Sequence, residues 1–165
     1  MNKKASGFTI IELIVVIALL GILSAVALPR FINVTDDAHT AAVSGAGAGF
    51  ATGVALIRAQ AIAEATASGA EVSGFGDGTM FVNASEAPMS STNSNTLDCV
   101  EVWEGLLQTN APTVSGADSD YTTSESVADI ECTYTYSTPN SDGNDRTIIY
   151  NSNSRAVNVN ADGES

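Results

Sequence analysis

The residue with the most chemical leverage in this chain is Glu12. It is the one charge in the run Phe8 to Leu28, FTIIELIVVIALLGILSAVAL, which as a helix rising about 1.5 Å per residue reaches roughly 30 Å, the thickness of a bilayer core. A carboxylate inside such a run is costly in lipid, and simple secretion has no need of it. Cutting the chain between Gly7 and Phe8 would supply a counter-charge, because the new amine at Phe8 lies one helical turn from Glu12. The pair, within one chain or between neighbouring copies, is strongest where water is excluded. Between copies it would also set their axial register, since a mismatched Glu12 would stay buried and unpaired.

Other constellations are sparse. One His, no phosphate-cradling loop, no nucleophile elbow and carboxylates that are scattered rather than paired leave no catalytic set, so no enzyme is expected. The single histidine, His39 in DDAH, is expected to pair with Asp36 or to face the C-terminal part of the chain, while Asp36 and Asp37 read as solvated helix charges. Asn140, Asp142, Asn144 and Asp145 in PNSDGND offer hard oxygens to Ca²⁺. They lack EF-hand spacing, and a loop of this composition forms for conformational reasons alone, so no metal site and no cofactor is assigned. Asn33-Val34-Thr35 and Asn83-Ala84-Ser85 match the glycosylation sequon.

Two cysteines remain, Cys99 and Cys132. In an exported domain they read as a disulfide, closing a loop of about 34 residues worth roughly 3 to 4 kcal/mol. The alternative, a reduced metal-binding pair, has neither a CxxC motif nor a nearby His to support it.

The elements that position these groups follow from length, charge and periodicity. With 165 residues there is room for one domain, and six Lys plus Arg against nineteen Asp plus Glu, net −13, exclude nucleic acid as a partner. Lys3 and Lys4 in MNKKASG keep the N-terminus on the cytoplasmic side and send the rest outward. An ordinary secretory signal cut near Ser24-Ala25-Val26-Ala27 is the alternative.

Beyond Arg30 the sequence stays helix-compatible to about Ser68, with Val43, Phe50, Val54, Ile57 and Ala61 close to one face that would carry the head. A second stripe, Ala41, Gly45, Gly49, Ala59, Ala63 and Ala67, contains almost no bulk. Gly45, Gly47, Gly49 and Gly53 each cost roughly 1 kcal/mol against Ala, which points to close packing against neighbouring copies or to deliberate looseness. Pro29 removes the hydrogen bond to the carbonyl of Ala25, and with Gly21 it marks the least stable stretch, where a kink is expected.

After Gly69 the composition turns to Ser, Thr, Asn, Asp and Gly with short β-type runs. Strands are expected at Glu71 to Ser73 and Thr79 to Val82, around the turn Gly74 to Gly78. A short second helix is expected over Leu97, Val100, Trp103 and Leu107, capped by Asn95, stopped by Pro112 and weak at Gly105. An antiparallel meander is expected from Ile130 to Ser137, Arg146 to Tyr150 and Arg155 to Val159.

The heptapeptide Gly7-Phe8-Thr9-Ile10-Ile11-Glu12-Leu13 after a short basic leader resembles the processing motif of type IV prepilins. That resemblance implies cleavage between Gly7 and Phe8 by prepilin peptidase, N-methylation of Phe8, and subunit docking through Phe8 and Glu12. It also implies a partly unwound, stretchable helix between Gly21 and Pro29 in the filament. The blocks PRFINVTDDAHTAAV, GAGAGFATGVALIRAQ, DCVEVWEGLLQ and ECTYTYS resemble the mannose-sensitive haemagglutinin pilin group. Residues 70–95 and 113–127 carry no such likeness.

The expected fold is therefore α+β, the type IV pilin fold. A cleaved leader (1–7), a transmembrane polymerisation helix (8–28) and its amphipathic continuation (29–68) precede a β-rich head (69–165) with a short second helix. The implied function is that of a structural subunit: a homopolymer, built by inner-membrane pilus assembly machinery and shown outside the cell, adhering to host or abiotic surfaces and forming biofilm. Two alternatives stand beside it. A pseudopilin of type II secretion shares the N-terminal segment but usually carries a calcium loop and lacks this cysteine pair, and a membrane-anchored binding head that never polymerises would keep its leader.

Overall fold

The computed structural model describes residues 8–75, 79–92, 96–107, 111–126 and 130–164, with the backbone alone for Ile32, Asn33 and Thr79. Two compact units divide the chain after Asp37. The long helix α1 (Ile10–Ala63) begins in the first and ends in the second, with Pro29 inside it. It stops five residues before Ser68. Ala65 takes a left-handed φ of 52°, Thr66 N–H donates to the Ala61 carbonyl at 2.9 Å, and Ala65 N–H donates to that of Ile62 at 3.2 Å. This is a Schellman closure with Ala where Gly is usual, and it leaves Ala67 outside the helix.

In the second unit the expected helix face is the buried one: Val43, Phe50 and Ile57 are fully buried, Val54 and Ala61 nearly so. The glycines divide by role. A Cβ on Gly53 would meet Leu106 Cβ at 3.0 Å and the Leu106 carbonyl at 3.2 Å, and one on Gly47 would collide with Val159. Those two admit the protein's own head rather than a neighbouring copy, which corrects the expectation for them. Gly49 is intermediate, its Cβ position 3.3 Å from Leu107, and Gly45 faces open space.

The head carries two antiparallel sheets. β1 (Glu71–Ser73), β2 (Thr79–Val82) and β3 (Pro88–Ser90) form the first in the order β1-β2-β3, with an irregularity at Phe81/Val82. β4 (Tyr121–Glu125), β5 (Glu131–Tyr136), β6 (Thr147–Asn151) and β7 (Val157–Asn160) form the second in chain order. Between the sheets in sequence lies α2 (Cys99–Leu106). The expected cap Asn95 lies outside the described residues. Asp98 caps the helix instead, its Oδ1 accepting from Val100 N–H and Glu101 N–H at 3.0 Å each. Gly105 packs against Met80, whose terminal methyl occupies the space a Cβ would fill and would have to move aside for one.

All four tyrosines and the single tryptophan join one aromatic cluster around Phe50. Phe50 lies 5.3 to 5.6 Å from Trp103, Tyr134 and Tyr150, while Trp103 contacts Tyr121 and Tyr134 at 4.9 and 4.7 Å. Tyr136 extends the cluster from Tyr121 at 5.1 Å. Such pairs each contribute about 0.5 to 1.5 kcal/mol beyond the area they bury. Two of the buried hydroxyls have backbone acceptors: Tyr134 donates to the Cys99 carbonyl and Tyr150 to that of Pro88, both at 2.9 Å.

Candidate functional site: the first helical turn and its context

In the first unit the described residues form a helix whose apolar side chains are exposed. Every described large apolar residue from Phe8 to Val34 is exposed, from 90% at Phe8 to 49% at Val16. The helix is long and apolar enough to cross a membrane. Burying this surface on folding would normally supply the main driving force, so the segment is built for an apolar surrounding other than its own head.

At its start Thr9 and Glu12 make a reciprocal cap. Thr9 N–H and Thr9 Oγ1 donate to Glu12 Oε2 at 2.9 and 2.8 Å, and Glu12 N–H donates to Thr9 Oγ1 at 3.3 Å. This is the capping box, and it revises the picture of an isolated acid. Glu12 already satisfies an orphan donor of its own helix. The signal was present as Thr9-x-x-Glu12, a spacing sequence reasoning passed over. Only Oε2 is engaged; Oε1 keeps its capacity for a further donor, since no other bond to Glu12 exists among the described residues.

Phe8, the nearest described residue to the expected cut, is exposed, and Gly7 lies outside the described residues. A Cβ on Gly21 would meet nothing within 4 Å.

The remaining candidates are placed in the head. Cys99 and Cys132 form the expected disulfide, both buried, tying α2 to β5 across a sequence separation of 33. His39 faces the head, its Nδ1 3.0 Å from the Tyr136 hydroxyl. Asn140 Oδ1 accepts from Asp142 N–H and Asn144 N–H, and its Nδ2 donates to the Asp162 carbonyl at 2.8 Å. The PNSDGND loop is thus held by its own asparagine, with Asp142 and Asp145 exposed. Among the described residues no group of three or more His, Cys, Asp or Glu could hold a metal ion. Asn83 is likewise structural, bonded to Ser85, Ala87 and Ser152.

Sequence reasoning missed the fully buried Arg146. Its Nε and Nη1 donate to the carbonyls of Ala161 and Thr138 at 3.0 and 2.9 Å, fastening the C-terminal segment to the loop before β6.

Comparison with known proteins bears on the same N-terminal segment. Residues 2–28 match the prokaryotic N-terminal methylation motif. The chain is 47% identical over 66 residues to the type IV narrow pilus major component PilA5 of Thermus thermophilus, covering 40% of this chain and 52% of that protein. It therefore spans about half the length of the curated relative it matches. No solved structure matches the chain. The chain thus carries an N-terminal methylation motif and an α+β fold with a long N-terminal helix, and it is homologous in part to a type IV pilus component.

Proposed function

We propose that this chain is a structural subunit of a type IV pilus. The observation that carries the reading is the coincidence, within residues 2–28, of a methylation motif with an apolar helix whose described large side chains are exposed. On this reading prepilin peptidase cuts between Gly7 and Phe8 and Phe8 is N-methylated. The precursor spans the inner membrane through residues 8–28, with residues 69–165 as an exported head, and the assembly machinery draws the chain into an extracellular homopolymer. Each new Phe8 amine docks on Glu12 of an adjacent copy, where Oε1 accepts it while Oε2 retains its bonds to Thr9. The Gly21 to Pro29 stretch is the flexible part of the helix in the fibre.

Adhesion to host or abiotic surfaces and biofilm formation are the roles such a fibre serves. The blocks around Arg30, Gly45, Cys99 and Cys132 favour a likeness to the mannose-sensitive haemagglutinin group. Loss of Lys3 and Lys4 on cutting leaves four basic against nineteen acidic side chains, so the fibre is acidic and repels DNA.

Mass spectrometry of the chain from cell envelopes and from sheared surface fibres tests this reading. The expected species in fibres begins at Phe8 and carries one methyl group, and Glu12→Ala is cut normally yet yields few fibres. A chain still starting at Met1, or normal fibre yield from Glu12→Ala, would reject it.

A further inference from the structure

Four arginines follow residue 7, and the chain itself occupies three. Arg58 Nε pairs with Glu86 at 3.2 Å, Arg146 is buried on carbonyls, and Arg155 Nη1 donates to the Ser85 carbonyl at 2.8 Å. Arg30 is different: it is exposed and makes no hydrogen bond or ion pair among the described residues. It directly follows the apolar run, where lowered dielectric raises the cost of an unpaired charge. Asp37, seven residues on, is also exposed and without a partner among the described residues.

At 3.6 residues per turn, Arg30 stands about five turns beyond Glu12 and Asp37 about two turns beyond Arg30. In the continuous α1 of the single chain Glu12, Arg30 and Asp37 share one face, from which Asp36 is rotated by about 100°, and because Arg30 and Asp37 both lie beyond Pro29 their own alignment does not depend on the Gly21 to Pro29 stretch. The charges also have a direction. After cutting, a cation precedes an anion twice, first the Phe8 amine and Glu12, then Arg30 and Asp37. Sliding a second, parallel copy along the helix axis carries both its cations toward both anions of the first. Bringing the amine to Glu12 needs a shift of about 6 Å, and bringing Arg30 level with Asp37 about 10 Å. The long flexible guanidinium stem bridges the difference.

We infer that Arg30 and Asp37 form an ion pair between neighbouring copies of this chain, in the same register as the pair between Phe8 and Glu12. The inference rests on the pilus-subunit reading. A second copy fits better than lipid, because anionic headgroups would hold Arg30 but repel Asp37, whereas another copy satisfies both.

Charge reversal in cells producing the full chain tests the pair, with sheared fibres and membrane-held precursor measured in parallel. Arg30→Asp and Asp37→Arg should each lower fibre yield about tenfold, and the double reversal should restore it to within about threefold. A second measurement covers variants that fail to insert: with Arg30→Cys and Asp37→Cys in one chain, fibres treated with a bismaleimide whose spacer matches the arginine stem should give cross-linked ladders that neither single variant gives. A double reversal as poor as Arg30→Asp, no ladder, or precursor lost whenever Arg30 is reversed would each overturn the pair, the last assigning Arg30 to lipid. Harmless reversals alongside a Glu12→Ala that abolishes fibres would overturn the pair and leave the subunit reading standing. No fibres from the unaltered chain would overturn both.

Discussion

Glu12 meets two demands with its two oxygens: Oε2 closes the first turn of α1 on Thr9, and Oε1 remains for a donor from outside. On the proposed reading a single carboxylate thus begins the helix and offers a docking point in the same turn. The tyrosines show the opposite economy, the hydroxyls of Tyr134, Tyr136 and Tyr150 being spent internally. Burial pushes the hydroxyls of Tyr121, Tyr134 and Tyr150 well above their usual titration range, and the charge of a neighbouring phenolate adds to it for the first two. A phenol ionises near pH 10 in an unfolded chain, at about 10 by reference values, so the stabilisation from burying it neutral is complete below that pH and is lost as pH rises above it. Melting of the full chain in detergent should therefore respond little to these groups between about pH 7 and 9 and should fall above about pH 10. Phenolate absorbance from the three should appear only with unfolding. Ionisation of all the tyrosines near pH 10 with the head intact would contradict this.

At the scale of elements, the helix glycines give a direct contrast. Gly53→Ala gains about 1 kcal/mol of helix propensity but presses a methyl group on the Leu106 backbone, at a typical overpacking cost of about 1 to 3 kcal/mol. Backbone cannot swing aside, so this variant should melt lower. Gly45→Ala meets open space and should melt higher. A Gly53→Ala protein as stable as its parent would show that the close approach to Leu106 carries no weight. Much of this layout was legible because it is periodic: Val43, Phe50, Val54, Ile57 and Ala61 mark the buried face, and β1 and β2 fall within their expected bounds. What escaped was aperiodic. β3 is three buried residues opening on a proline, and β4, TyrThrThrSerGlu, is an edge strand whose polar face is normal for an edge and resembles a loop. The Asp98 cap depended on Asp98 N–H being fixed to the Met89 carbonyl, a contact between segments that spacing does not reveal. Gly45, Gly47, Gly49 and Gly53 carry a single expectation because composition cannot distinguish contact with one's own head from contact with another copy.

For the whole molecule, the apolar side chains divide into two populations with different destinations. In the head they meet one another, around Phe50 and across the Cys99–Cys132 bond. From Phe8 to Val34 the described ones are exposed, and on our reading they are covered first by lipid and then by copies of the same helix. On that reading Glu12 makes the second covering specific, because apolar contact alone tolerates any axial offset. A side-chain-resolution density map of purified surface fibres tests this most directly. It should show chains beginning at methylated Phe8, each amine within about 3 Å of Glu12 in an adjacent copy. Fibres in which Glu12 keeps only Thr9 and otherwise faces lipid or water, with no terminal amine beside it, would contradict the account.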